Sequence, residues 1–391
     1  MSRRESSCFA LCLVAVVTSS AVGADRAHSS SRAATEGVRS AVSRRAGHSG
    51  GSPWDPQTAS DTNFVVDQAA GLDTGCVFRS SGPLLFSVQV DRYVGPTNAD
   101  GTLRDAAGLI AAGVISAKAR LRMPAWDVDY SGSQDPSVSP ERDLVSFNGY
   151  SFGYLTGDND VWKLNEFEIP IQNVKFPSSP APECTSSVPS SCPGPTPAQN
   201  DIRIDIDTLN SDEDWCTEID WATLSFDAMA PLMLIHGTNS GPDTWGRPAP
   251  FTLQAFDCNG TPAAGSVSAR LIELGIPFDD CIQLEPNGSP DNNAQQLSTI
   301  LPRKARKFGV ENLHLVTHSK GATDSRKFLA DYYDAAQAID PSTGNARPAS
   351  LRTVTYALIE TQVKRVGPDM APIPVQHLEG DKAKAAKKGR K

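Results

Sequence analysis

Leu313-His314-Leu315-Val316-Thr317-His318-Ser319-Lys320-Gly321 is the stretch on which the reading of this chain turns. An apolar run from Leu313 to Val316 stops at Thr317-His318-Ser319, and a helix-like pattern follows through Phe328. Strand, tight turn and helix in that order place a serine at the apex. A serine hydroxyl is a poor nucleophile unless a strained turn presents it to an imidazole and to backbone N–H groups that meet the developing oxyanion. A helix starting at once after the serine supplies such N–H groups at its positive end. Gly321 permits close backbone approach. The pattern is a variant of G-x-S-x-G in which Thr317 takes the place of the first glycine.

Working outward, a second signal lies about eighty residues upstream. Pro231-Leu232-Met233-Leu234-Ile235 is continuously apolar, as expected of a strand buried on both faces of a parallel sheet, and it runs directly into His236-Gly237-Thr238-Asn239. If this loop lies beside the serine turn, as the resemblance described below implies, the N–H groups of Thr238 and Lys320 face one small volume as oxyanion donors. His236, Gly237 and Trp245 are the expected substrate-side residues. Ala294 to Phe308 reads as an amphipathic helix with Leu297, Ile300, Leu301 and Ala305 inward, and Leu351 to Ile359 as a further strand. Alternating strands and helices indicate a parallel α/β sheet from residue 229 onward.

Together, Leu234-Ile235-His236-Gly237 and Leu315 to Gly321 resemble the α/β-hydrolase superfamily, within it the bacterial lipases and the deacylases that remodel lipid anchors. The resemblance covers roughly residues 229 to 360. It implies a parallel sheet with flanking helices and a Ser-His-acid hydrolysis of carboxylic esters, with lipid or acyl esters as substrates and no required cofactor. Ser319 is then the nucleophile. The family's order is nucleophile, acid, histidine. Here His377 is the one histidine after Ser319, and Asp340, Glu360 and Asp369 are the candidate acids, of which Asp369 in Val366-Gly367-Pro368-Asp369-Met370 sits in a turn-like setting. Where the family shows a Thr-Pro-His-like turn, Tyr356 to Thr361 stands instead, so the C-terminal part is expected to be shortened or altered.

The region from 61 to 228 reads differently. Ile202, Ile204 and Ile206 alternate with polar residues at period two. Asn148-Gly149 between Leu144 and Leu155 predicts a tight hairpin, because both residues accept positive φ. Leu84–Val90 and Glu218–Phe226 are further strands. Many short strands predict a β-sandwich or jelly roll. Its carboxylates Asp127, Asp129 and Asp143 are candidate ligands for a structural Ca²⁺, which takes about six to eight oxygens. A weak resemblance to the jelly-roll modules of exported hydrolases, resting on Asn148-Gly149, Trp162, Trp215-Cys216 and Asp220-Trp221, adds carbohydrate as a ligand of this region.

Arg3 and Arg4, the apolar Phe9–Val17 and the small residues Ala21–Ala24 predict an export signal over 1–24. A Ser/Ala/Arg/Gly-rich linker over 25–60 comes next. The expected boundaries are then a β-sandwich over 61–228, an α/β-hydrolase domain over 229–375 and a basic tail over 376–391. Six cysteines lie beyond the signal, so disulfides of a secreted protein are expected, with Cys184–Cys192 and Cys258–Cys281 the favoured pairs of about fifteen connectivities. A net charge of −9 argues against nucleic acid as a partner, and no segment is long and apolar enough to span a bilayer. The rival to a secreted esterase is a hydrolase-like scaffold without a working base, binding carbohydrate through its β region.

Overall fold

A computed structural model describes residues 51–54, 63–67, 72–130, 139–210, 214–248, 260–332 and 353–359, with the backbone alone for 63–67 and 353–359. The expected signal, all but four residues of the linker, and the basic tail lie outside the described residues.

The first half is built from antiparallel strands: β1 (Asn63–Asp67), β2 (Val77–Phe78), β3 (Leu84–Val90), β4 (Lys118–Trp126), β5 (Leu144–Phe147), β6 (Tyr150–Tyr154), β7 (Trp162–Pro170), β8 (Ala198–Asp205), β9 (Cys216–Ile219) and β10 (Thr223–Asp227), with one short helix, α1 (Ala106–Ala111). They form a six-stranded sheet, β1-β10-β4-β9-β2 with β7 on β4, and a four-stranded sheet, β3-β8-β5-β6. The β5–β6 hairpin turns at Asn148 (φ 49°) and Gly149 (φ 84°), the two positive φ values that the Asn-Gly pair predicts. The single strand expected over Glu218–Phe226 is two, β9 and β10, interrupted at Asp220-Trp221-Ala222. Strand alternation sends Val145, Phe147, Ile202 and Ile204 inward, all fully buried.

From residue 229 the chain builds β11 (Leu232–Ile235), α2 (Val267–Glu273), β12 (Phe278–Ile282), α3 (Pro290–Phe308), β13 (Asn312–His318), α4 (Lys320–Asp331) and β14 (Thr353–Ile359). The strands are parallel, in the order β12-β11-β13-β14. The α/β-hydrolase architecture expected here is not what the chain forms. Most strands are antiparallel, helices are few, and the one parallel sheet among the described residues is small, with side chains described for three of its four strands. A large parallel sheet needs a crossover of a dozen or more residues for each added strand, and much of the chain is committed to antiparallel pairing instead. The two local motifs were correct as strands and turns, but they could not report how many parallel strands surround them.

The parallel sheet is nonetheless covered on both faces. Met233, Ile235, Leu313 and Leu315 pack with Leu297, Leu301, Ala305 and Phe308 of α3 and Phe328 of α4. Leu232, Leu234 and Val316, pointing the other way, join Leu271 of α2 and the buried side chains of the antiparallel sheets in one continuous cluster. This explains why β11 is apolar throughout. Helix α3 begins at Ser289, whose hydroxyl accepts from the Asn292 N–H at 3.2 Å, and ends at Gly309 with φ 67°. Burial opposes ionisation of Asp279 on β12, and Lys304 (2.9 Å) and Lys307 (2.7 Å) outweigh it, holding the carboxyl below the usual range. Cys184 and Cys192 are disulfide-bonded, as are Cys76 and Cys216. Cys281 is also in a disulfide, while Cys258 lies outside the described residues. Among the described residues no helix is long and apolar enough to cross a membrane.

Candidate functional site

The parallel register sets the site. Ile235 pairs with Thr317, so the residues that leave β11 and β13 emerge side by side. Gly237 follows one strand and Ser319 the other. A Cβ on Gly237 would sit 2.8 Å from Ser319 Cβ and 3.2 Å from His318 Nδ1, so only glycine fits there. A Cβ on Gly321 would sit 2.4 Å from the His236 carbonyl oxygen. The two glycines allow the ends of β11 and β13 and the start of α4 to come together.

Ser319 has φ 52° and ψ −124°, a conformation that costs a non-glycine residue about 1–3 kcal/mol and must be enforced by its surroundings. The enforcing elements are β13 on one side and α4 on the other. Although Ser319 is the N-cap of α4, its side chain makes no capping hydrogen bond. The residue is exposed, and among the described residues no hydrogen bond engages its Oγ. As the first residue of α4, Lys320 has an N–H without an intrahelical acceptor. Thr238 is exposed beside Asn239, which has φ 52°, and the loop is braced by Ser240, whose Oγ accepts from the Gly237 N–H at 3.1 Å and donates to the Gly237 carbonyl at 2.9 Å.

His236 is buried and structural. Its Nε2 accepts from the Leu284 N–H at 3.0 Å, so Nδ1 carries the proton and donates to the Gly237 carbonyl at 3.0 Å. Burial lowers its pKa, consistent with a neutral ring in that role. Trp245 ends a short 3₁₀ turn, Pro242–Trp245, and is 2% exposed. It packs edge-on against His318 with ring centroids 6.4 Å apart, a wall behind the turn. Burial also lowers the pKa of His318. Ser319, Gly237, His236, His318 and Trp245 are thus brought together, whereas His377 and Asp369 lie outside the described residues.

Sequence reading missed Asp324 and Asn293. Asp324 is 1% exposed, and its carboxylate receives Lys320 Nζ at 2.8 Å and Asn293 Nδ2 at 2.7 Å. The i,i+4 spacing of Lys320 and Asp324 was available as a signal. Nothing local pointed to Asn293 on a different helix.

The carboxylates considered for calcium are not assembled around one point. Asp127 accepts from the Asp160 N–H at 2.8 Å, Asp143 from the Asp207 N–H at 2.8 Å and from the Thr217 hydroxyl, and Asp129 is buried near them. Among the described residues the one set of three potential ligands within reach of one another is Cys76, Asp127 and Cys216, and its two sulfurs are bonded together. Burial, and after it the neighbouring charges of Asp127, Asp160 and Asp158, raise the pKa of Asp129.

Comparison of the chain with family models, with curated proteins and with solved structures finds no match.

Proposed function

We propose that the protein is an exported serine hydrolase of carboxylic esters, with lipid or acyl esters as the substrate class. The observation that carries this reading is Ser319: a strained, exposed serine whose hydroxyl has no hydrogen-bond partner among the described residues, at the start of a helix and in contact with a second glycine turn. The reading rests on this local geometry and not on an overall fold. Ser319 Oγ attacks the acyl carbon, and the C–O bond to the alcohol breaks after a tetrahedral intermediate. The N–H groups of Lys320 and Thr238 receive the oxyanion. An imidazole takes the serine proton and returns it to the leaving alcohol, and water then releases the acid by the reverse sequence. His377 and Asp369 are the residues proposed for base and acid. Losing one oxyanion donor in such a site costs about 100-fold or more in rate.

The test is covalent labelling by a fluorophosphonate probe, alongside turnover of a short acyl ester. Labelling and turnover of the parent, lost in Ser319→Ala, is the expected result. A parent as silent as Ser319→Ala overturns the reading.

A second reading has its own observation. The outer face of the β3-β8-β5-β6 sheet forms an open groove of about 650 Å³, lined by Leu85, Ser87, Ser151, Gln199, Arg203 and Asp205. Hydroxyl, amide and paired charged groups set among Leu85, Phe86, Leu144 and Ile202 suit a polyhydroxyl ligand such as a carbohydrate, with its polar edge on the former and its apolar face on the latter. A silent probe together with glycan binding lost in Gln199→Ala would favour this binding-module reading.

A further inference from the structure

The two amide-bearing segments of the Ser319 site come from different strands, yet two runs of hydrogen bonds, joined through the Leu284–Glu285 backbone, connect them. The first starts at Lys320, whose Nζ lies 2.8 Å from Asp324 Oδ2. The same oxygen accepts from Asn293 Nδ2 at 2.7 Å, a contact between α4 and α3. Asn293 Nδ2 also donates to the Glu285 carbonyl at 3.0 Å. The neighbouring Leu284 N–H donates to His236 Nε2 at 3.0 Å, and His236 Nδ1 returns to the Gly237 carbonyl, the peptide that leads into Thr238. Asp324, Asn293 and His236 are all nearly inaccessible to solvent, at 1%, 1% and 2%.

Two features of this connection point to positioning and not to stability alone. Asp324 Oδ1 and Asn293 Oδ1 are buried with no partner among the described residues. Unpaired buried acceptors are costly and uncommon. The connection is also directional in effect. Its ends are the two segments whose N–H groups must converge within hydrogen-bonding distance of one oxygen, while its middle passes through the α3–α4 contact, away from any reacting atom.

We propose that Asp324 and Asn293, acting through Lys320 and His236, are positioning residues that fix the spacing between the Lys320 and Thr238 amides. The proposal rests on the Ser319 reading, deepens it, and is tested separately from it. In an oxyanion site a misplacement of about 1 Å costs about 100-fold. Asp324→Asn keeps the shape and removes the charge that holds Lys320. It should slow probe labelling and lower kcat for a short ester about 10- to 100-fold, with KM nearly unchanged.

Lys320→Met, at a partly exposed side chain, provides a variant less apt to unfold. Because both substitutions break the same link, the double variant should be no slower than the worse single variant. Parental kinetics in Asp324→Asn, or losses that multiply in the double variant, overturn the positioning role. Amide hydrogen exchange at Gly237–Thr238 separates the two readings. Faster exchange in Asp324→Asn supports the link even in a protein that no probe labels, and unchanged exchange with unchanged labelling removes it. If the parent is unlabelled but exchange responds, the Ser319 reading fails and the structural link stands.

Discussion

Replacing Gly321 by alanine adds one carbon where the backbones of β11 and α4 touch. The added Cβ would lie 2.4 Å from the His236 carbonyl oxygen and 2.9 Å from that of Ile235, against an ordinary contact that begins at 3.4 Å. Both neighbours are main-chain oxygens at the end of a buried strand, so no side chain can swing aside. The start of α4 must retreat by about 1 Å. Two effects on stability oppose each other. Alanine is the better helix residue by about 1 kcal/mol, while overpacking a tight contact costs about 1–3 kcal/mol. The net loss is then about 0–2 kcal/mol, visible as a small drop in the urea midpoint. Activity should suffer far more, because the retreat carries Ser319 and the Lys320 amide with it. A 1 Å displacement corresponds to about a 100-fold slower reaction. The assay is the rate of fluorophosphonate labelling measured well below the unfolding midpoint. Gly194→Ala serves as the control, since its Cβ would meet nothing closer than 3.7 Å. A Gly321→Ala protein that labels at the parental rate would refute the claim that this contact sets the geometry of the turn.

The remaining predictions concern strain and protons. Ser319→Gly should abolish labelling yet raise stability by about 1 kcal/mol, since relief of about 1–3 kcal/mol of φ strain exceeds the roughly 0.5–1 kcal/mol entropic cost of glycine; a less stable variant in urea titration contradicts the strain argument. His314 is pushed down to about 4 by burial and the nearby Arg92, so the folded state binds fewer protons than the unfolded one from pH 6.5 down to about 4. Stability is therefore full above pH 6.5 and falls by about 3 kcal/mol as the pH drops through that window; His314→Gln should flatten the slope of the unfolding free energy against pH, and an unaltered slope would count against it. Glu141 has the opposite sign. Burial and the neighbouring Asp143 raise it to about 9, so the folded state holds the extra proton and stability is lost as the pH climbs from 4.5 to about 9. Glu141→Gln, which mimics the protonated form, should raise Tm over the parent at pH 9 but not at pH 4; equal gains at both pH values would rule the mechanism out.

The local pieces of the site were legible because their signals are short-range. Asn148-Gly149 specifies its hairpin through two positive φ angles, and Pro231–Ile235 declares a strand buried on both sides through unbroken apolarity. Ser319 announced itself by the change from an apolar run to a helical pattern. What the chain did with its remaining strands was not legible. Each strand of 61–228 alternates in a way compatible with several pairings, and the number of parallel strands depends on long-range crossovers that leave no mark on the two motifs. The superfamily resemblance at Leu234–Gly237 and Leu315–Gly321 therefore carried the turn correctly and the architecture incorrectly. Asn293 shows the same limit at the scale of one residue: on α3 it reads as a polar helix-start residue, and only α4 crossing beside it makes it a partner of Asp324.

By itself the sequence determined the buried strand at Pro231–Ile235, the Asn148-Gly149 hairpin and the strand-to-helix turn at Ser319, because backbone preference and apolar period act over a few residues. Tertiary structure alone decided that the parallel sheet stays small, that Gly237 abuts Ser319, and that Asp324 meets Asn293. Those outcomes depend on strand register and helix packing between segments tens of residues apart, where many arrangements bury similar apolar area and only the assembled core selects one.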